Sequence, residues 1–300
     1  MYLNHGFGAS SLSWLPALPS LVNRVGARVG IGHDAAGFGF TDRPKDLSLY
    51  TSQSSAIMGL NLLNREIEND DHNQNGGCDE MSSAERPPPA VLLLGHSMGS
   101  IATLHMALGL PNDIQKDIIL VAPALGIAPS RGETRRTNKN GRSRRLLRTL
   151  RQAFQKVFVY APFTYILRRT VGTEGFWKKG LLAVWGDPAL LSESDVLRFQ
   201  WPSIGSGWEK GLINFSRAQL LPKQHKDTDL LEKVLALPNT TVSVIQGTSD
   251  VVMKKSVVQK FFEPYKSQVR IWELENRGHD PFEEKTEEFV STVMQILESS

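Results

Sequence analysis

The stretch Pro89-Ala90-Val91-Leu92-Leu93-Leu94-Gly95-His96-Ser97-Met98-Gly99-Ser100 decides the fold. A short apolar run ends in Gly95-His96-Ser97-Met98-Gly99, and Ile101 to Leu108 reads as a helix. This is G-x-S-x-G between a strand and a helix, a context that places the serine on a tight, strained turn. A side chain at position 95 or 99 would collide with the neighbouring strand or helix, which is why both are glycine. The turn lifts Ser97 Oγ clear of the sheet and close to a helix N-terminus. The backbone N–H of Met98 then points where an oxyanion would form. The competing reading is a glycine-rich strand–helix turn with an incidental serine, and the residues downstream decide between the two.

A serine nucleophile needs a base and an acid to orient it, and in this context the chain order is Ser, then Asp or Glu, then His. Thr241 to Gly247 reads as a strand, and Asp250 follows it in Thr248-Ser249-Asp250. Val269 to Leu274 reads as another strand, leading through Glu275-Asn276-Arg277-Gly278 to His279. From Pro281 onward a helix is expected, with Phe282, Phe289, Val290, Val293 and Ile296 as its apolar face. A lone Asp after a strand is ordinarily a turn former, and a lone loop His is ordinarily solvated. The order and strand-end placement of Ser97, Asp250 and His279 together favour a catalytic set. Asp280 and Asp187 are rival acids, but Asp280 adjoins the histidine, so its side chain should diverge from it. The preceding strand, Asp117 to Val121, runs into Ala122-Pro123-Ala124 and offers no carboxylate.

A second oxyanion donor is expected from Asn4-His5-Gly6-Phe7-Gly8-Ala9-Ser10, where the glycines let the backbone turn its N–H groups inward. The N–H of Phe7 is assigned that role beside that of Met98. His5, Gly6, Gly95, His96 and Gly99 are supporting residues, with His5 read as a structural hydrogen-bonding group.

With these residues in place the chain resembles the serine hydrolases of the α/β-hydrolase fold. The likeness is carried by His5-Gly6-Phe7-Gly8, by Asp34 to Pro44, by Gly95 to Gly99, by Asp250 and by Gly278-His279. The second segment matches the family's D-x-x-G-x-G-x-S/T loop, with Thr41 at the Ser/Thr position. The plant and algal "HGFGAS" type is the most similar. Ser97 separates the chain from haloalkane dehalogenases and epoxide hydrolases, which carry Asp there. The resemblance implies an α/β architecture, a mostly parallel sheet with helices on both faces and an inserted helical cap. It implies cleavage of carboxylic esters, of apolar acyl groups in our reading, through an acyl-enzyme. No cofactor and no metal are expected. An acyltransferase or a C–C bond hydrolase on the same three residues, and a ligand-binding receptor of the same fold, are the alternatives.

The 300 residues suit one such domain with an insert, and the net charge of +3 is mild. One cysteine, Cys78, excludes an intrachain disulfide. No apolar run reaches the roughly 18 residues that a membrane span requires. Only Met1-Tyr2-Leu3 precede the oxyanion segment, so the start reads as truncated. The family's first strands are then missing, and the strand near Arg28 to Ile31 is left as an exposed edge. An intracellular location, soluble or peripheral to a membrane, is favoured over secretion. The strand–helix alternation stops after Ala124 and resumes near Leu237. Residues 1–124 and 236–300 are therefore assigned to the hydrolase core and 125–235 to a cap. Ten Lys or Arg and one acid lie between Arg131 and Lys156. Arg144, Arg145, Arg148 and Arg151 flank an apolar stripe from Leu146 to Phe158. That pattern suits either a packed helix with solvated arginines or contact with an anionic membrane. Nucleic acid is not an expected partner. Half of the chain's aromatic residues fall between Phe154 and Phe215, enough to roof an apolar acyl pocket or to fill a small helical core.

Overall fold

The computed structural model describes residues 1–74, 90–126, 161–219 and 226–299. Six strands form one sheet: β1 (Tyr2–Asn4), β2 (Ile31–His33), β3 (Ala90–His96), β4 (Gln115–Val121), β5 (Thr240–Gly247) and β6 (Val269–Leu274). Their order is β2-β1-β3-β4-β5-β6, and every pairing is parallel. Strict alternation along β3 and β4 divides the core in two. Val91, Leu93, Ile118 and Leu120 face one layer, while Leu92, Leu94, Ile119 and Val121 face the other. The first layer is covered by α2 (Ser52–Gln74), α3 (Gly99–Gly109), α8 (Asp227–Leu235) and α9 (Lys255–Phe262). The second is covered by α1 (Leu18–Val25) and by α11 (Thr286–Glu298), with Trp14 stacked on Phe282 at 4.0 Å between ring centres.

The chain steps from β1 outward to β2 and then returns across β1 to β3. The strand order therefore reverses between β1 and β3. Ligands of open parallel sheets bind at the carboxyl ends of the strands beside such a switch. The loop after β1 carries His5 to Ser10, and the turn after β3 carries Ser97.

Between β4 and β5 lie α4 (Ala161–Val171), α5 (Glu174–Val184), α6 (Glu193–Ile204) and α7 (Trp208–Ala218). Ser192 and Asp195 close a reciprocal capping box at the start of α6. These helices bury Val171, Trp177, Leu181, Trp185, Val196, Phe199 and Trp208 in a core of their own, which Ala9 of the first loop joins. Phe215 instead packs on Phe38 and Tyr50 beside Met98. The aromatic residues of this region are thus divided: the tryptophans at 177, 185 and 208 are internal filling, Phe215 faces the sheet end, and Trp201 stands exposed.

Three boundaries differ from the sequence reading. The helix expected from Pro281 is two, α10 (Pro281–Glu284) and α11, because Lys285 adopts φ −150° and ψ 75°. The outer strand begins at Ile31 rather than near Arg28. Ahead of it Val29 O accepts the Met1 ammonium, and the Ile31 N–H reaches Met1 O. The last helix before β5, α8, places Leu230, Leu231 and Val234 in the sheet's core, although the sequence division at 235 groups it with the insert. Arg144, Arg145, Arg148, Arg151 and Cys78 lie outside the described residues. Among the described residues no helix is long and apolar enough to cross a membrane.

Candidate active site

Ser97 follows the last residue of β3 and has φ 49°, a left-handed conformation rare for a side-chain-bearing residue. The strain is held in place from several directions. Ser97 N–H donates to Val121 O at 2.8 Å, and Ala124 N–H donates to Ser97 O at 3.0 Å, so the end of β4 fixes the turn. A Cβ on Gly99 would lie 2.5 Å from Asn4 O and 2.6 Å from His5 O. One on Gly95 would lie 2.8 Å from Ser100 Cα. Space, rather than dihedral freedom, requires glycine at both.

The first loop is drawn against this turn. A Cβ on Gly6 would sit 3.2 Å from Ser97 Cβ and 2.7 Å from His96 Nδ1. His5 explains how Gly6 is oriented. Its Nε2 accepts Ala35 N–H at 3.0 Å, so its proton resides on Nδ1 and is donated to Gly6 O at 2.8 Å. Burial lowers the pKa of His5, which keeps the ring in this neutral tautomer. With the Gly6 carbonyl thus engaged, the N–H groups of Phe7 and Met98 have no acceptor among the described residues. The Asp34 loop braces the arrangement. Asp34 Oδ1 accepts Ser11 N–H at 2.6 Å and Oδ2 accepts Phe40 N–H at 2.8 Å, while Thr41 Oγ1 donates to Ala35 O at 2.9 Å. That accounts for the D-x-x-G-x-G-x-T spacing. The carboxylate closes the loop on itself, and Gly37 (φ 84°) and Gly39 (φ 51°) take the left-handed positions.

On the other side, His279 Nδ1 lies 2.8 Å from Asp250 Oδ2. Asp250 is itself fixed: Oδ1 accepts the N–H groups of Val252 and Met253, both at 2.8 Å, and Oδ2 also accepts Gln246 Nε2–H at 3.2 Å. An acceptor-only carboxylate at Nδ1 places the ring proton there and leaves Nε2 as the basic nitrogen. Burial lowers the pKa of His279. That effect is outweighed by the hydrogen bond to Asp250 and by the charges of Asp280, Asp250 and Glu284, so the net shift is upward. Ser97 Oγ makes no hydrogen bond to this ring in the structure. The rival acids are placed elsewhere. Asp187 caps Ala189 N–H, and Asp280 Oδ1 stands 3.4 Å from His96 Nε2. Burial raises the Asp280 carboxyl to about 6.

His96, a supporting residue in the sequence reading, acts through a partner that spacing does not show, and Glu284 has no distinct sequence signal. His96 donates from Nε2 to His279 O at 3.0 Å, and the two rings lie 4.8 Å apart, so the residue before the serine holds the backbone of the histidine. Burial lowers its pKa well below the ordinary value. Glu284 accepts the N–H of Gly278 on both oxygens, at 2.8 and 3.0 Å. Neither role can be read from spacing, because each partner is brought in by the fold.

Phe7, Phe40, Val251 and Val252 are all at least half exposed. Phe7 lies 5.8 Å from the ring of Phe38 and 5.4 Å from that of Phe215. These apolar surfaces stand on the loop after β1, on the Asp34 loop and immediately after Asp250.

Comparison with solved structures gives the same architecture. A bromoperoxidase from Bacillus anthracis superposes with TM-score 0.64 at 16% identity, over 99% of this chain and 91% of that one. A serine hydrolase involved in carbazole degradation gives 0.63 at 16%, over 100% and 90%. An epoxide hydrolase from Vigna radiata gives 0.63 at 18%, over 100% and 90%. No curated protein matches in sequence. The sequence model of the alpha/beta hydrolase family matches residues 3–292, and the chain belongs to that family.

Proposed function

We propose that this hydrolase cleaves carboxylic esters of apolar acyl groups, with Ser97 as nucleophile, His279 as general base and Asp250 as the orienting acid. The carrying observation is the 2.8 Å His279–Asp250 pair, whose acid is held by two backbone N–H groups, at the same sheet end as a serine in a strained turn. Substrate binding brings Ser97 Oγ within reach of His279 Nε2, a contact that commonly tightens only in the substrate complex. Oγ attacks the ester carbonyl as its proton passes to Nε2. The carbonyl electron pair moves onto oxygen, where the N–H groups of Phe7 and Met98 stabilise it. Collapse expels the alkoxide, which takes the proton from His279. A water molecule then repeats the sequence on the acyl-enzyme and releases the acid and Ser97. Asp250 holds the tautomer and stabilises the imidazolium. The half-exposed Phe7, Phe40, Val251 and Val252 offer surface for the acyl chain, and α4–α7 serve as a cap over it.

The test is fluorophosphonate labelling of the protein, followed by rates on p-nitrophenyl esters of increasing acyl length. Labelling confined to Ser97 and turnover that improves with chain length are expected. A protein that neither labels nor turns over any ester overturns the reading. A protein that labels but cleaves only a C–C bond keeps the three residues and overturns the ester assignment.

A further inference from the structure

The loop carrying His279 is not held by the sheet alone. His279 N–H donates to Val184 O at 2.9 Å, and Val184 is the last residue of α5 in the insert. Two residues on, Gly186 N–H donates to Glu284 Oε2 at 2.9 Å. The same carboxylate takes the Gly278 N–H. Glu284 therefore joins the backbone just before His279 to the backbone just after α5, and it is buried while doing so. Charge-assisted bonds from a carboxylate to backbone N–H groups are among the stronger ones available.

Three glycines let these segments approach. A Cβ on Gly186 would lie 2.5 Å from Asn276 O and from Gly278 N. One on Gly278 would lie 2.5 Å from Gly186 N, and one on Gly247 would lie 2.8 Å from Arg277 C. None of the three has a positive φ, so close approach, not backbone conformation, requires glycine here. The contact is reinforced from α6. Arg198 bridges Glu283 Oε2 at 3.0 Å and Asp195, which ties a second insert helix to α10.

We infer that Glu284 is a positioning residue for His279, and that the insert segment Val184–Gly186, through this carboxylate, is part of the apparatus that sets the base. The insert then cannot leave the sheet without releasing the histidine loop. The inference rests on the proposed role of His279, but the clamp itself can be tested without it.

The first measurement is hydrogen exchange on the wild-type chain. Val184 O and Glu284 hold the amides of Gly186, Gly278 and His279 together, so one local opening should expose all three at a common rate. Fast exchange at Gly186 with slow exchange at Gly278 and His279 would overturn the clamp, whatever the chemistry of the site. The second is Glu284→Gln, which keeps the side chain's size and removes its charge. A displacement of about 1 Å at a catalytic group can cost on the order of 100-fold. We expect kcat on a p-nitrophenyl ester to fall about 10- to 100-fold, with KM within about twofold. His279 also faces Asp250, Asp280 and His96, and with one of its carboxylates neutralised the pH–rate midpoint should move down. Glu284→Asp should recover part of the rate if its shorter carboxylate still reaches Gly278. A folded Glu284→Gln with wild-type kcat and midpoint would overturn the positioning role. If the variant does not fold, the exchange result decides. A wild-type protein inert to fluorophosphonate would sink the hydrolase reading alone and leave the exchange pattern as evidence for the clamp.

Discussion

On the elbow side of the site, the turn of Ser97 itself is set by neutral groups: His5 and His96 as uncharged rings, the backbone carbonyl at the end of β4, and glycines with no room for a side chain. The Asp34 carboxylate braces only the loop behind them. On the histidine side the work falls to carboxylates. Asp250, Asp280 and Glu284 are buried and act on His279, and Glu283 is buried beside Asp280 and Arg198. The difference is what the proposed mechanism asks of each side. A nucleophile on a strained turn needs geometry and free N–H donors, and a nearby negative charge would oppose the oxyanion. A base that becomes a cation in mid-reaction needs negative charge close at hand.

In the proposed mechanism each side contributes one reacting atom, so the largest effects should come from deleting either. Ser97→Ala and His279→Ala should each lower ester hydrolysis on the order of 10⁴-fold or more, and Ser97→Ala should abolish fluorophosphonate labelling. Asp250→Asn should lose less, because Asp250 orients and stabilises without passing the proton. Wild-type turnover by Asp250→Asn together with an inactive Asp280→Asn would reassign the acid. It would also break the separation of roles drawn between the two carboxylates.

Next in size is the demand for space. Gly99→Ala puts a Cβ against the backbone oxygens of Asn4 and His5, which cannot swing aside. Overpacking of this kind costs roughly 1–3 kcal/mol and sometimes more. Gly8 has φ 76° but nothing within 4 Å of its would-be Cβ, so Gly8→Ala should cost only the left-handed backbone, about 1–2 kcal/mol. Urea unfolding of the two variants compares steric and dihedral demands directly. Equal losses would mean that the elbow yields more than its packing suggests.

A smaller effect separates the sides by pH. His279 is shifted upward from 6.5, so the rate should rise with pH through a midpoint above that value, as Nε2 loses its proton. A midpoint below 6.5 in kcat/KM would mean that the surrounding carboxylates are not acting on the free enzyme's base.

How much of this was legible follows the same division. The strands around Ser97, Asp250 and His279 are short apolar runs with turn residues after them, and β6 falls at Val269–Leu274 as its pattern suggests. Local order dominates there, so periodicity suffices. The apolar face of α11 was equally open to reading: Phe289, Val290, Val293 and Ile296 are all buried. The insert was not. Its aromatics divide between an internal core, the sheet end and the surface by tertiary packing that no spacing encodes. Glu284 is the sharpest case. Five residues after a histidine, it looks like an ordinary first-turn acid of a helix. Its partner Gly186 lies 98 residues away in sequence, and only the folded approach of two glycines brings them together.

The smallest expected effect tests the comparison in the stability curve. Burial lowers the pKa of His5, His96 and, to about 4, of His33. In the unfolded chain these rings titrate near 6.5. From about pH 4 to 6.5 the unfolded state then binds more protons than the fold, so these residues make stability rise with pH. The acids act the other way. Burial raises Asp280 from 3.8 to about 6, and Glu283 and Glu284 are raised as well. Over that window the fold holds more protons than the unfolded chain, and stability falls as pH rises through the folded values. His279, also raised, contributes stability that is present below 6.5 and lost above it. The two sides therefore oppose each other, and the wild-type slope should be shallow. Asp280→Asn removes a falling contribution, so its urea midpoint should climb more steeply than wild type between pH 4 and 6. His33→Gln removes a rising one and should flatten or reverse the slope. Parallel curves for all three proteins would mean that the buried groups on both sides titrate in the fold much as they do in the unfolded chain, and the electrostatic contrast between elbow and base would then be lost.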